Sequence, residues 1–179
     1  MSTQEFDPLT DRVFLAWARR ICEELWLGLG AIEPSNEFLG FLWTAFSKSG
    51  EIPSAHLAPL VQKRRITLAS HYMRLFLAQA EQDTGRHFEE AFLSSPPDEQ
   101  EPTGLSQVGN STIYGIHEVG IARETAEAVQ DYLMARYWLV WPVCPTHNLG
   151  LHAADTGENP VWECSEGGHQ IPMISATQE

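Results

Sequence analysis

The sequence has few positive charges and no long apolar run. Only 11 lysine and arginine residues stand against 24 aspartate and glutamate residues, so the net charge of the 179-residue chain is −13. A protein with this charge repels nucleic acid and anionic membranes at long range. No apolar run reaches the ~18 residues that a membrane-spanning helix needs. We therefore expect no membrane partner, disfavour nucleic acid and expect a neutral or basic protein partner, and the oligomeric state stays open.

Cysteines are also scarce, because the chain has three of them. Cys22 lies inside a helical pattern, far from Cys144 and Cys164, and is expected to be a small core residue. This distribution does not fit a disulfide framework, and the first residues lack the basic segment of a secretory signal. These features predict a cytoplasmic protein in a reducing compartment.

Motifs of common enzyme classes are missing as well. The sequence contains no H-E-x-x-H, no zinc-deaminase pattern and no G-x-S-x-G. Asp83, His87 and Glu90 would share one face of a continuous helix, but an exposed charged face is the preferred interpretation of this trio. We therefore favour a protein that is not an enzyme.

The apolar periodicity predicts a mainly α fold, a bundle of about five helices followed by a small C-terminal β module. An apolar segment after Ser35 or Asn36 has almost no polar side, and it predicts the central core helix. The other helical segments are expected at about 8–27, at a short stretch after Pro53, at 60–82, at 87–93 and from 117 or 121 to 137.

Two changes of composition divide the chain. Residues 95–111 are rich in proline, glycine, serine and acidic residues, and they carry too little apolar surface to offset their ordering entropy. This predicts a mobile loop. From Trp138 to Val143 the chain becomes bulky and β-favouring. We expect a helical domain at 1–138 and a module at 139–179 that is packed on it or tethered to it.

The module contains two short pairs of metal-ligating residues. Cys144 and His147 form a C-x2-H pair, and Cys164 and His169 form a C-x4-H pair, each with proline or glycine between its members. Structural zinc prefers four sulfur and nitrogen ligands, so the pairs predict one structural Zn²⁺. A Cys144–Cys164 disulfide and two unconnected buried thiols are the alternatives, and His152 is an alternate ligand.

Strand-like segments surround these pairs, at 149–153 and 161–163 with a third at 171–174. With them, residues 141–174 resemble the zinc-ribbon class of small β modules, over about a fifth of the chain. The resemblance implies a structural zinc that four protein ligands enclose, which leaves no position for a catalytic water.

Four functions are compatible with these features. The preferred one is a non-enzymatic acidic adaptor or regulatory protein that acts through protein–protein contacts and carries a structural zinc. The alternatives are an acidic inhibitor that mimics nucleic acid and blocks a nucleic-acid-binding protein, a small zinc-dependent hydrolase, and a DNA-binding regulator. The regulator would use a basic patch on one predicted helix, although a solvated helix face is the preferred interpretation of these residues: Lys63, Arg64, Arg65 and Arg74.

Overall fold

The computed structural model describes residues 10–28 and 37–174, which contain four helices and two antiparallel three-stranded sheets. The elements are α1 (Arg12–Glu24), α2 (Glu37–Ser49), α3 (Ser54–Thr84), β1 (Phe92–Ser95), β2 (Leu105–Val108), β3 (Ser111–Thr112), α4 (Glu118–Tyr137), β4 (His152–Asp155), β5 (Pro160–Glu163) and β6 (Gln170–Pro172). Within the described residues, no helix has the length and apolarity to cross a membrane. The predicted helix start at residue 8 and the expected caps Ser35 and Asn36 lie outside them.

The helices α1 and α2 and the first turns of α3 enclose an aromatic core. Asp11 caps α1, because its carboxylate accepts hydrogen bonds from the N–H groups of Val13 at 2.8 Å and Phe14 at 3.0 Å. The Phe14 ring makes edge contacts with Trp43 and Phe46 of α2. The helix α2 therefore belongs to this N-terminal core and is not the central helix of the fold.

The central helix is α3, one helix of 31 residues where the sequence predicted a short helix and a longer one. Pro59 removes a hydrogen bond to the carbonyl of Ala55, but both residues are exposed, so water can satisfy that carbonyl and the helix continues. For the part of the chain that the structure describes, the prediction of about five helices is corrected to four helices with two sheets.

The second core lies where α3 and α4 pack together, and it also includes both sheets. Its buried apolar members come from the helices, from β2 and from the C-terminal module: Met73, Phe76, Val108, Ile121, Val129, Leu133, Trp141 and Trp162. The module is therefore packed on the helices and shares a continuous core with them.

Two predictions between α3 and α4 are wrong. The segment 87–93, expected to be helical, is irregular until it enters β1. The segment 95–111, expected to be a loop, contains β2 and the first residue of β3. The inward side chains of β2 are Ser106 and Val108, both fully buried. A strand with one apolar residue on its core face has a pattern too weak to identify it in the sequence.

The predicted strands of the C-terminal module are present. Trp162 of β5 lies between Ala153 of β4 and Ile171 of β6 in antiparallel register. The strand β4 begins at His152, later than expected, because Gly150 forms an isolated bridge with Val143 instead. This bridge brings together the chain segments before and after the pair Cys144 and His147.

Candidate metal centre

Four side chains of the module converge on one point. The ligand atoms of Cys144, His147, Cys164 and His169 all lie within 4.8 Å of one another. Cys144 Sγ is 3.6 Å from His147 Nδ1 and 3.3 Å from His169 Nε2, and His147 Nδ1 is 3.2 Å from Cys164 Sγ. Ordinary zinc bond lengths in a tetrahedron separate sulfur from nitrogen by about 3.6 Å. The four residues therefore lie close enough to bind one metal ion.

The two cysteines open turns with the same backbone hydrogen bonds. In each turn the cysteine N–H donates to the carbonyl five residues later, and the N–H four residues later donates to the cysteine carbonyl, at 2.7–3.0 Å. That fourth residue is Asn148 after Cys144 and Gly168 after Cys164, with φ of 55° and 59°. Asparagine and glycine adopt this left-handed conformation more readily than other residues.

The histidines occupy different positions in the two turns. His147 is the third residue after its cysteine, a position that Gly167 takes in the second turn, where His169 is the fifth residue. A Cβ atom on Gly167 would lie 2.6 Å from His147 Cε1 and 2.7 Å from His169 Nδ1. Glycine at this position therefore leaves room for both imidazole rings, which explains how the longer C-x4-H spacing reaches the same point.

The electrostatics of the first turn favour a thiolate. Burial raises the pKa of Cys144, but the N–H groups of His147 and Thr146 and the side chains of Cys164 and His147 outweigh burial and lower that pKa to about 6. The His147 N–H lies 3.4 Å from Cys144 Sγ. Thiolate is the form of cysteine that binds metals. Both cysteines are free thiols, so the alternative disulfide is not formed.

Aromatic and polar contacts fix the centre on the helices. The Trp141 indole N–H donates to Asp83 Oδ2 at 2.9 Å, and Gln130 Nε2 donates to the Trp141 carbonyl at 3.2 Å. The Trp162 ring packs edge-on against Phe76 and Trp141, at centroid distances of 5.8 and 5.4 Å. The metal-ligating turns therefore pack on the rings of Trp141 and Trp162, and contacts with α3 and α4 hold these rings in place.

His152 is not brought into the centre. It opens β4 opposite Glu163, is exposed, and does not belong to the group of converging ligands. The trio Asp83, His87 and Glu90 does not belong to the group of converging ligands either. Asp83 accepts the Trp141 hydrogen bond, His87 Nδ1 lies 2.6 Å from Glu81 Oε1, and Glu90 pairs with Arg74. All three side chains are exposed.

The predicted basic patch does not form a continuous cationic surface. Arg65 is only 2% exposed. Arg64 forms an ion pair with Glu37, and Arg74 Nε lies 3.0 Å from Glu90 Oε1. Lys63 is exposed. All four residues belong to α3, but their side chains lie in different environments. The prediction of a single basic binding surface is therefore corrected.

Arg65 has a structural role that sequence reasoning missed. Its guanidinium donates to the carbonyls of Gly115 at 3.1 Å and Tyr114 at 3.2 Å and to Thr103 Oγ1 at 3.0 Å. Burial lowers the pKa of Arg65, and nearby carboxylates oppose that effect. The available signal was the helical period, because Arg65 lies one turn after the apolar Val61 on the buried face.

Comparisons with known proteins supply no family for this chain. No protein-family model matches it, and no curated protein or solved structure matches it either.

Proposed function

We propose that the protein is a non-enzymatic adaptor or regulatory protein in which one Zn²⁺, bound by Cys144, His147, Cys164 and His169, stabilises a zinc-ribbon-like module that contacts a protein partner. The observation that carries the proposal is the convergence of two thiols and two imidazoles, whose ligand atoms all lie within 4.8 Å of one another. Four such ligands fill the coordination shell of zinc, as in structural sites, whereas catalytic sites keep a position for water.

Zinc would tie together two turns that are distant in sequence. Cys144 and Cys164 are 20 positions apart in the chain, and the ion would join their turns at one point. Structural zinc binds small modules with an apparent free energy of about 10–16 kcal/mol, and that energy becomes folding energy. The surface beside these turns would therefore be ordered only in the metal-bound protein.

An apolar surface lies beside the first turn, and we name it the turn surface. Its four members are all exposed: Trp138, Val140, Val143 and Leu149. Val140, Val143 and Leu149 are neighbours in space, because Val143 bridges Gly150 and a Cβ on Gly150 would lie 2.9 Å from Val140 Cγ1, and Trp138 precedes Val140 by two residues in the chain. Exposed tryptophan and aliphatic side chains grouped in this way are typical of protein interaction sites.

Trp138 adds a second argument for this surface. It is 88% exposed and has a φ of 54°, at the position after α4 where helices usually place glycine. The left-handed conformation costs an L-residue about 1–2 kcal/mol. A strained and almost fully exposed tryptophan gives the monomer no evident benefit, and strain of this kind is concentrated at functional sites.

The charge of the chain supports a neutral or basic partner. At a net charge of −13, long-range attraction speeds the association of a basic protein and slows that of an acidic one. Buried apolar contacts at the turn surface would then supply most of the affinity, since charges at the rim of an interface act mainly on the association rate.

The alternatives receive less support from the geometry. A zinc hydrolase needs an open coordination position, and a DNA-binding regulator needs free cations, whereas Arg65 is buried and Arg64 and Arg74 are paired. An inhibitor that mimics nucleic acid needs a continuous array of free carboxylates, but Glu37 and Glu90 pair with arginines of α3.

Metal content tests the first half of the proposal. Elemental analysis of untagged, reduced protein is expected to find one zinc per chain, none in Cys164→Ser, and one in the matched control His152→Ala. Freshly purified protein without zinc, or Cys164→Ser with a full complement, would contradict the structural zinc.

Affinity capture tests the second half. A Trp138→Ser/Val140→Ser double variant should lose a partner that both wild type and Leu93→Ser recover, because Leu93 is an exposed apolar residue on a different sheet. Chelation of the metal should release the same partner. If every captured protein binds the double variant as well as wild type, the turn surface is not the interaction site.

A further inference from the structure

A cleft shares no lining residue with the metal centre or with the turn surface. It lies between the end of α1, the segment before β2 and the segment before α4, and its volume is 340 Å³. The residues that matter here are Trp26, Arg65, Glu101, Thr103, Tyr114 and His117. This volume is at the lower end of the roughly 300–1,000 Å³ range of ligand pockets, and it accommodates one large side chain.

Trp26 forms one side of the cleft in a strained conformation. The helix α1 ends with hydrogen bonds from the Trp26 N–H to Glu23 O at 3.3 Å and from the Leu27 N–H to Cys22 O at 2.8 Å. This end motif usually has glycine where Trp26 stands with a φ of 56°. The ring is 67% exposed, although Leu27 beside it is buried. The turn therefore keeps the Trp26 indole exposed to solvent, although the left-handed conformation of its backbone costs free energy.

Tyr114 forms another side on a rigid support. Its ring is 62% exposed. Arg65 donates to the carbonyls of Tyr114 and Gly115 at 3.2 and 3.1 Å, and Glu124 Oε2 accepts from the N–H groups of the same two residues at 2.7 and 2.8 Å. A buried cation and a carboxylate thus fix both peptide groups. An exposed aromatic ring on a backbone that is already ordered costs less entropy to bind.

The polar groups of the cleft indicate the chemistry of its occupant. His117 Nδ1 is buried and has no hydrogen-bond partner among the described residues, which is uncommon in folded proteins. Glu101 lines the cleft, and Glu23 and Glu24 are exposed in the turn just before Trp26. The cation in the lining, Arg65, has its donors engaged by the protein. The acidic groups at this apolar cleft are Glu101 in its lining and, at the adjoining end of α1, Glu23 and Glu24, of which Glu24 lies 3.9 Å from Arg20; we name these three carboxylates the acidic rim.

We propose that this cleft binds one large apolar side chain of a basic protein segment, with lysine or arginine on either side of that residue facing the acidic rim. The rings of Trp26 and Tyr114 contact the apolar side chain. This site goes beyond the function proposed above, because it uses neither the zinc centre nor the turn surface.

Three capped pentapeptides, KKFKK, KKAKK and EEFEE, test the chemistry in titrations of the zinc-loaded, ¹⁵N-labelled full chain. We expect KKFKK to shift the indole N–H of Trp26 and the amides of Tyr114 and Gly115. The dissociation constant for KKAKK should be at least about tenfold higher, because alanine buries far less apolar area, and EEFEE should bind more weakly through repulsion. Equal binding of KKFKK and KKAKK, or shifts confined to the C-terminal module, would overturn the proposal.

Two variants locate the binding site. Trp26→Gly removes the indole and suits the left-handed backbone, so the fold is retained, and Tyr114→Ser removes the other ring. Both should abolish the KKFKK shifts at the cleft, while the control Leu93→Ser keeps them. Undiminished binding by Trp26→Gly would overturn the assignment. Concentration-dependent shifts at the cleft without peptide would assign it to a second copy of the chain and would overturn it too.

Discussion

Replacement of Gly167 by alanine should damage the metal centre although none of the four ligands is replaced. The new Cβ would lie 2.6 Å from His147 Cε1 and 2.7 Å from His169 Nδ1, where ordinary contacts begin at 3.4 Å. The rings must therefore retreat by about 0.8 Å, whereas metal–ligand distances hold within about 0.2 Å. At least one imidazole has to leave the metal.

The expected loss follows from this displacement. Disturbing a group that only supports a ligand already costs 10–100-fold in metal affinity by general experience, and here a ligand itself is displaced. We expect Gly167→Ala to raise the dissociation constant for zinc by about 100-fold or more, equivalent to about 2.7 kcal/mol. Competition with a chromophoric chelator measures this constant, and Co²⁺ spectra report whether the coordination stays tetrahedral.

Two other glycines provide matched controls. Gly168 has a φ of 59° and an open space beside it, so Gly168→Ala strains the backbone without reaching a ring and should weaken zinc binding by less than about tenfold. Gly40 is exposed in α2 with nothing within 4 Å, so Gly40→Ala should leave zinc affinity unchanged and stabilise the helix by about 0.5–1 kcal/mol. Wild-type affinity in Gly167→Ala, or equal damage from Gly168→Ala, would refute the ring geometry.

Three further predictions concern thiol reactivity and stability of the zinc-loaded protein. Burial, with a smaller effect of the Glu23 carboxylate, raises the pKa of Cys22 to about 11. Only about 0.1% of the Cys22 side chain is therefore thiolate at pH 8, and a thiol-reactive dye should not label it. Cys144 and Cys164 should react once a chelator is added, and rapid labelling of all three thiols would contradict this burial. Trp138→Gly should raise the free energy of unfolding by about 0.5–1 kcal/mol, because glycine adopts a φ of 54° without strain. A melting temperature below that of the wild type would show that Trp138 is not strained. Arg65→Met should lower the free energy of unfolding in urea by about 3 kcal/mol, since it removes the donors of two half-buried carbonyls and of the buried Thr103 hydroxyl. A loss under about 1 kcal/mol would show that these bonds contribute little.

The metal-ligating cluster was accessible from sequence because its geometry is local. Each Cys/His pair spans a few residues, so turn chemistry alone determines that the two side chains of a pair face the same way. The choice between His169 and His152 needed one more fact, the space above Gly167 that admits both rings. A glycine three residues after Cys164 was visible in the sequence, but its contacts with His147 were not.

The sheet between α3 and α4 was not accessible in the same way. Its strands are two to four residues long, and β2 buries one serine and one valine. Composition indicated an unstructured loop, because the apolar content of 95–111 is low when that segment is considered alone. The strands are ordered by packing against α3 and α4, whose apolar faces are supplied by residues far away in sequence.

The sequence by itself determined the features that depend on neighbouring residues: the helical periods, the two cysteine turns and the acidic charge. The tertiary structure alone decided the partners of Arg64 and Arg65, and it decided that a chain expected to form two domains has a core continuous from α3 to the metal centre. Local conformation follows from sterics and hydrogen bonds within a few residues, whereas burial depends on surfaces that the fold brings together from distant parts of the chain.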